Sequence, residues 1–425
     1  MRQIDARRLG DFADAFARDS TRSVEIESVV AEILEEVRVD GDTALRRLTR
    51  RFDGFDPNPI EIDRGACDRA LVAIPTALRV ALEIAAGRIR DYHAHEGEAR
   101  SSHWESGGMT VTERAVPVER AGLYAPGGRA SYPSTVLMTV IPAKVAGVNE
   151  TILCVPASAD GAIPDVTLAA AAISECDRVM RVGGAQAIAA LAYGTDSVPR
   201  VDVIAGPGNA YVAAAKRAVW GEVGIDSFAG PSEVVIVADA TAPPAWVAAD
   251  LVAQAEHGPG GTAVVVSWDS SVLDAVSREV EHLQSGSTRS KEIEATLASG
   301  GMCVLVESWS QAAEVVNAMA PEHVQLMCDD AEVRSADIRH AGAIFLGNMG
   351  SAAFGDYIVG VNHVLPTARS ARFSSALRAD TFLRHQHVVR IDASAAAALA
   401  GPGSTIAKAE GLDAHALAMQ LRAQA

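Results

Sequence analysis

The sequence is poor in cysteine, and its cysteines lack the spacings that thiol chemistry uses. The five residues, Cys67, Cys154, Cys176, Cys303 and Cys328, are scattered along the chain and form no Cys-x-x-Cys pair. An odd number of cysteines in a chain of 425 residues does not make a disulfide framework. This usage suits a reducing compartment, and we expect a cytoplasmic protein.

Long apolar runs and an excess of positive charge are also missing. No stretch reaches the about 18 uncharged apolar residues that a membrane-spanning helix needs, and residues 1–7 interleave charges with apolar residues, unlike a signal peptide. The formal net charge of −17 argues against nonspecific binding to nucleic acid or to an anionic membrane. We therefore expect a soluble protein whose partners are small molecules, with no nucleic acid and no membrane among them.

What the sequence does contain is an α/β pattern. Its length predicts about three domains of roughly 150 residues each, and a hydrophobic content of 49% can bury a large core. From residue 120 onward, apolar strands alternate with helices in two successive runs. The predicted strands include 151–155, 178–182, 201–205, 262–267, 302–306, 324–327 and 343–346. This alternation predicts two doubly wound α/β domains.

The glycine-rich turns of the first run lack the standard dinucleotide fingerprint. Glycines precede an amide side chain at Gln186 and at Asn209, and residues 122–129 are rich in Gly, but no turn matches G-x-G-x-x-G. A Gly-rich loop before a helix presents backbone N–H groups to an anion. Turn glycines are also common in α/β proteins that bind nothing there. The residues alone therefore leave both interpretations open.

One predicted helix, within residues 243–259, carries more polar chemistry than an Ala- and Val-rich helix needs. Asp250, Gln254 and His257 fall on one of its faces. The simpler interpretation is that Gln254 and His257 cap carbonyl groups at the helix end, because two donors fall short of the three or four that a zinc site uses. Further donors follow downstream at 322–323, 356–363 and 410–415.

These residues lie in motifs that resemble those of histidinol dehydrogenases. The matching motifs are Gly-Pro-Ser-Glu-Val at 230–234, Gln-Ala-Glu-His-Gly-Pro at 254–259, Ala-Pro-Glu-His at 320–323, Gly-Asp-Tyr at 355–357 and Asn-His-Val-Leu-Pro-Thr at 362–367. They occur in the family's order and cover nearly the whole chain. Two loops, 350–354 and 368–370, depart from the family's usual pattern.

The resemblance implies a fold, cofactors and a reaction. It implies an α/β protein of two incomplete Rossmann-like doubly wound domains with small helical N- and C-terminal segments. It implies one Zn²⁺ per subunit and NAD, which the family binds without the usual fingerprint. The implied reaction is the four-electron oxidation of L-histidinol to L-histidine, through a bound aldehyde, with two NAD used in turn.

The resemblance also assigns roles to individual residues. His323 is the expected base for the hydroxyl proton, and Glu322 the expected base for the water that hydrates the aldehyde. The expected NAD contacts are Tyr124, Gln186 and Asn209. The expected zinc ligands are Gln254, His257, Asp356 and His415. The expected substrate contacts are Ser232, Gln254, His257, Glu322, His323, Asp356, His363, Glu410 and His415.

The domain organisation that follows has four parts. They are an N-terminal helical segment (1–24), a larger α/β domain with the zinc and catalytic residues (25–120 and 233–380), an NAD-binding domain (121–232) and a C-terminal helical tail domain (381–425). The tail is Ala-rich, with an expected break at 401–403. By resemblance, it completes the active site of the partner subunit in a homodimer.

Taken singly, the same residues have plainer explanations. A Glu-His pair at a strand entrance is usually exposed, an Asp among glycines usually shapes a turn, and polar residues on a helical tail are usually solvated. Three other functions remain open at this point. They are a related dehydrogenase of another amino alcohol or diol, a zinc hydrolase, and a non-catalytic nucleotide-binding or scaffold protein.

Overall fold

The structure is a computed structural model that describes residues 1–8, 12, 23–96, 102–127, 131–227, 230–258 and 260–424. Three parts of the sequence predictions lie outside the described residues: most of the N-terminal segment 1–24, the end of the loop at 128–129, and Pro259. Within the described residues no single helix is long and apolar enough to cross a membrane, and only the bent pair 64–73 with 76–95 reaches the required length and hydropathy together.

The strands are β1 (Arg2–Asp5), β2 (Ser102–Ser106), β3 (Met109–Pro117), β4 (Arg120–Tyr124), β5 (Glu150–Cys154), β6 (Arg178–Met180), β7 (Val203–Ala205), β8 (Gly224–Ile225), β9 (Glu233–Ala238), β10 (Thr262–Ser267), β11 (Gly301–Leu305), β12 (His323–Met327), β13 (Ala343–Leu346) and β14 (Leu383–Ile391).

The α-helices are α1 (Val24–Asp40), α2 (Asp42–Asp53), α3 (Arg64–Ala73), α4 (Thr76–His95), α5 (Pro133–Ala146), α6 (Asp165–Ile173), α7 (Gly184–Tyr193), α8 (Ala210–Val219), α9 (Pro244–Ala255), α10 (Ser270–Gly286), α11 (Ser290–Gly300), α12 (Trp309–Met319), α13 (Ala331–Arg334), α14 (Ala352–Tyr357), α15 (Ala393–Ala409) and α16 (Asp413–Arg422).

Two parallel sheets share one strand order, which confirms the predicted fold class. The five-stranded sheet runs β6-β5-β4-β7-β8, and the six-stranded sheet runs β1-β11-β10-β9-β12-β13. Apart from β1, each sheet has the order 3-2-1-4-5 of a Rossmann fold without its sixth strand. The strands β9 and β10 are buried along their whole length, as expected for strands covered by helices on both faces.

The helices over residues 24–95 cover the five-stranded sheet. The helix α1 contacts α7 and α8, α3 contacts α6, and α4 contacts α5. Buried α1 residues such as Val30 and Val37 share a core with that sheet. The predicted domain organisation instead grouped residues 25–120 with residues 233–380. An amphipathic stripe shows that one face of a helix is buried, but it does not show which sheet that face packs against.

Both ends of the chain contain strands where helix was predicted. At the N-terminus, β1 adds to the edge of the six-stranded sheet by pairing with β11. Near the C-terminus, β14 pairs antiparallel with β3, which also pairs with β2. The sequence missed this sheet because β2 and β14 are mostly exposed and so lack the apolar alternation of a half-buried strand.

The expected helix break at 401–403 is wrong, since α15 continues through Pro402. The glycine beside it has a packing role instead. A Cβ on Gly403 would lie 2.5 Å from the sulfur of Met419 in α16, so the absence of a side chain lets the two tail helices approach each other. Helices α15 and α16 thus form a hairpin that follows β14.

Candidate active site

A cleft of about 860 Å³ lies where the two parallel sheets meet. One wall holds Pro207 and Asn209, which follow β7 at the carboxyl edge of the five-stranded sheet. The opposite wall holds Ser232 and Glu322, which precede β9 and β12 at the amino edge of the six-stranded sheet. The volume is in the range of ligand pockets, roughly 300–1,000 Å³.

The first wall is the switch point of the five-stranded sheet. The order reverses between β4 and β7, and in α/β folds ligands bind at the carboxyl ends of such strands. Asn209 caps α8 there, since its Oδ1 accepts from the N–H groups of Tyr211 and Val212 at 3.0 and 3.1 Å. The helix N-terminus faces the cleft and suits an anion.

The turn before Asn209 is held by a buried ion pair. The ammonium of Lys216 donates to Asp226, and both side chains are almost fully buried. Lys216 also donates to the carbonyl of Gly206 at 3.0 Å, and Asp226 accepts from its N–H at 2.8 Å. Gly206 has φ of 122°, and a Cβ at this position would clash with the carbonyl oxygen of Tyr124, so no side chain fits there. The conformation of this turn is therefore fixed.

Two of the expected NAD contacts lie beneath the cleft wall. Tyr124, the last residue of β4, is 3% exposed, and its hydroxyl accepts from the N–H of Gly184 at 3.1 Å. Burial raises the pKa of Tyr124 to about 12, so the hydroxyl stays neutral. Gln186, in the first turn of α7, is 2% exposed. Asn209 alone of the three lines the cleft.

The opposite wall contains a buried acid–base pair. Glu322 Oε2 accepts from the hydroxyl of Ser232 at 2.5 Å and from the N–H of Glu233 at 2.9 Å. His323 Nδ1 lies 3.0 Å from the carbonyl oxygen of Glu233 and 3.6 Å from Glu322 Oε2. Both side chains are less than one-tenth exposed. The strand β9 thus holds the pair from one side through main-chain groups.

The charges around this pair shift its protonation. Burial raises the pKa of Glu322, although the charge of His323 and the bonds from Ser232 and Glu233 oppose the shift. Burial lowers the pKa of His323, but the carboxylates of Glu322 and Asp356 outweigh it and raise that pKa to about 9. The environment thus favours the neutral form of the carboxyl group and the charged form of the imidazole. Buried titratable groups with shifted pKa values are typical of acid–base sites.

The short helix α14 brings Asp356 to the same place. Asp356 Oδ1 lies 3.5 Å from His323 Nε2, longer than a normal hydrogen bond. Burial alone would raise the pKa of Asp356, but His323 and, more weakly, His363 and His257 hold it below its usual range. Gly355 permits the approach, because a Cβ there would lie 2.5 Å from the ring of Phe345 in β13.

His363 is fixed at the cleft by two contacts. Its Nδ1 lies 3.0 Å from the carbonyl oxygen of Asp356, and its Nε2 lies 3.1 Å from the hydroxyl of Thr135 in α5. Burial lowers the pKa of His363, which favours the neutral ring. Sequence reasoning missed Thr135, whose only signal is its position in the first turn of a helix that follows a Gly-rich loop.

His257 lines the cleft just after the C-terminal end of α9, whereas Gln254 lies in the last turn of the helix and does not line the cleft. Gln254 is buried, with its Oε1 3.4 Å from the hydroxyl of Ser232, and its Nε2 has no hydrogen-bond partner among the described residues. His257 Nδ1 lies 3.2 Å from the carbonyl oxygens of Ala253 and Gln254. His257 therefore caps the helix, as the simpler interpretation has it, and its Nε2 remains for a ligand.

The two expected tail residues are not at this cleft within one chain. Glu410 and His415 are exposed residues at the turn between α15 and α16 and at the start of α16. Over the described residues, no group of three or more His, Cys, Asp or Glu side chains could hold a metal by itself. Gln254, His257 and Asp356 thus make an incomplete ligand set.

A dinucleotide-type switch point that faces a buried acid–base pair suits a nucleotide-dependent oxidoreductase. Comparisons with known proteins give the family. A family model described as histidinol dehydrogenase matches residues 16–423. The chain is 45% identical to the histidinol dehydrogenase of Aromatoleum aromaticum, over 99% of this chain and 98% of that one. It is also 45% identical to that of Pseudomonas aeruginosa, over 95% and 93%.

A solved structure agrees over the whole fold. The chain superposes on histidinol dehydrogenase from Elizabethkingia anophelis with a TM-score of 0.96 at 31% identity, covering 100% of this chain and 98% of that one. The chain belongs to the histidinol dehydrogenase family. It is an NAD-linked oxidoreductase of histidine biosynthesis with a small-molecule substrate, and the family uses NAD and zinc.

The contact between Gly355 and Phe345 makes a testable prediction. A Gly355→Ala substitution should displace α14, and with it Asp356, so we expect the rate of NADH formation from histidinol to fall about 10- to 100-fold. The KM for NAD should stay unchanged, because the other wall is untouched. Steady-state kinetics of Gly355→Ala beside Gly87→Ala, a helical glycine with open space around it, would check this. Equal rates in the two variants would contradict the positional role of Gly355.

Proposed function

We propose that this chain carries out the whole four-electron oxidation of L-histidinol to L-histidine in the cleft, with Glu322 and His323 exchanging the protons. The observation that carries the proposal is the burial of these two side chains at the edge of β12, facing the switch point of the other sheet. In this proposal the hydride acceptor and the proton acceptor lie on opposite walls of one cleft.

His323 is suited to the proton of the alcohol. Its Nδ1 is fixed by the carbonyl of Glu233, so Nε2 is the nitrogen that can exchange a proton. In the first oxidation His323 accepts the hydroxyl proton while hydride goes to NAD, which gives the aldehyde. Zinc held by Asp356 would offset part of the carboxylate charge that raises the pKa of His323.

Glu322 is suited to the second oxidation. Its Oε2 accepts both hydrogen bonds from β9 and Ser232, and Oε1 makes neither of them. A carboxylate with a raised pKa can take a proton from the water that adds to the aldehyde. Hydride from the resulting hydrate then goes to a second NAD. The sum is one histidinol, two NAD and one water giving one histidine carboxylate, two NADH and three protons.

NAD is proposed to bind at the carboxyl edge of the five-stranded sheet. Asn209 and the N-terminus of α8 offer polar groups and a favourable dipole to the diphosphate. Tyr124 and Gln186 lie at the same edge but are buried, so they support the turns on which the cofactor rests. Direct contact between NAD and these two side chains stays a prediction.

Zinc is proposed to bind between α9 and α14. The residues present fit the metal: an imidazole nitrogen, a carboxylate oxygen and an amide oxygen are N and O donors, and among the described residues the amide oxygen of Gln254 has just one long contact, 3.4 Å from the hydroxyl of Ser232. Gln254, His257 and Asp356 would hold it, with His415 as the fourth ligand. Bound zinc supplies a Lewis-acidic, redox-inactive point that can bind the substrate's imidazole and amine.

The fourth ligand is proposed to come from a partner subunit in a homodimer. The tail exposes large apolar side chains, including Val389 at 57%, Ile406 at 64% and Leu421 at 58%. Apolar residues repeated along one strand and two helices are typical of a surface that another chain covers. We propose that the tail docks on the partner and brings Glu410 and His415 to its cleft.

The acid–base roles predict different effects for two conservative substitutions. His323→Asn should lower kcat about 10²- to 10⁴-fold with histidinol, because the first proton has no acceptor. Glu322→Gln should slow oxidation of histidinaldehyde more than oxidation of histidinol. Single-turnover NADH formation, started from each substrate, measures the two steps separately. His282→Asn, on the exposed face of α10, is the control, and equal slowing of both steps by Glu322→Gln would contradict its role.

The shared site predicts recovery of activity in a mixed dimer. A His323→Asn subunit has a defective cleft and an intact tail, whereas a His415→Ala subunit has the reverse. Each variant alone should be almost inactive, but a heterodimer has one complete site, so a random mixture should recover about a quarter of wild-type activity. Co-expression with two affinity tags yields the purified heterodimer, in which one of the two sites is complete, so its activity should be about half that of the wild type. No recovery would mean that the tail acts within its own chain.

A further inference from the structure

We propose that Asp250 and Gln325 are positioning residues that lock together the three elements carrying the zinc ligands and the catalytic pair. The proposal rests on the zinc site proposed above. Asp250 belongs to the polar face of α9 with Gln254 and His257, yet it does not line the cleft. A role other than direct contact must therefore account for this carboxylate.

Asp250 joins α9 to two other elements. Its Oδ2 accepts from the side-chain amide of Gln325 at 2.6 Å, and its Oδ1 accepts from the hydroxyl of Ser351 at 2.7 Å. Gln325 lies two residues after His323 in β12, so both side chains are on the same face of the strand. Ser351 directly precedes α14, which carries Asp356. One carboxylate thus uses both of its oxygens to connect a helix, a strand and a second helix.

Gln325 closes the network. It is fully buried, and its Oε1 accepts from the N–H of Ala352 at 2.9 Å. Ser351 also caps α14 by accepting from the N–H of Ala353 at 3.2 Å. The start of this helix is therefore held by side chains from β12 and α9, one turn before Asp356.

The network sets distances that a metal site requires. Zinc ligands must hold their positions within about 0.2 Å, and Gln254 and Asp356 lie on elements with no sequence proximity. The bonds of Asp250 fix α9 against α14, while those of Gln325 fix α14 against the strand of His323. Loss of groups that orient metal ligands typically weakens metal binding about 10- to 100-fold.

Zinc affinity of the full-length protein tests the proposal. Apoprotein made by chelation is titrated with zinc against a competing chelator, and NAD binding and thermal unfolding are measured alongside. Asp250→Ala removes both acceptors, and Gln325→Glu sets a second carboxylate against Asp250, so each should weaken zinc binding about 10- to 100-fold with NAD binding unchanged. Asp250→Asn should retain most of the zinc affinity. The hydroxyl of Ser351, which donates to Asp250, can instead accept a hydrogen bond from the amide of the asparagine.

Asp239→Ala separates positioning from general stability. Asp239 is a buried carboxylate of the same sheet that accepts from Thr241 and Asp329, but at the carboxyl edge of β9, away from the cleft. The Asp239→Ala substitution should lower the unfolding temperature without changing the zinc affinity. Similar loss of affinity in Asp239→Ala and Asp250→Ala, or unchanged affinity in Asp250→Ala, would overturn the positioning role alone. Wild-type protein that binds no zinc would overturn the zinc site and this proposal together.

Discussion

Two helix ends of opposite polarity face one cleft, and the chemistry of the site depends on this arrangement. The N-terminus of α8 follows the carboxyl edge of the five-stranded sheet, and the C-terminus of α9 returns to the amino edge of the six-stranded sheet. Helix N-termini favour anions and helix C-termini favour cations. The diphosphate of a dinucleotide therefore suits one wall, while a metal ion and a protonated imidazole suit the other.

The second wall is unusual for a doubly wound sheet, because ligands normally bind at carboxyl ends. At the carboxyl edge of the six-stranded sheet, Asp239 accepts from the main chain of Asp329 and from Thr241, which leaves this edge internally bonded. The amino edge is free for Glu322 and His323, held by main-chain groups of β9. The same fold, used twice, thus contributes a carboxyl edge with a switch point from one copy and an amino edge with an acid–base pair from the other.

The sequence predicted the features that depend on local pattern. The strands Thr262–Ser267 and Ala343–Leu346 have the predicted bounds, and His257, at the end of the predicted polar face of α9, lines the cleft. It missed what depends on distant partners: the exposed pairing of β2 and β14 with β3, and the sheet that covers α1. The bonds of Asp250 to Gln325 and Ser351 link residues 75 and 101 positions apart, so no periodicity could reveal them.

The number of NADH molecules formed per histidinol consumed tests the central claim most directly. Purified protein with zinc, excess NAD and limiting L-histidinol is followed by absorbance until the reaction ends, with histidine measured in the same sample. One cleft that performs both oxidations should yield about two NADH and one histidine per histidinol. A ratio of about one with released aldehyde, or turnover of another amino alcohol but not of histidinol, would contradict the account.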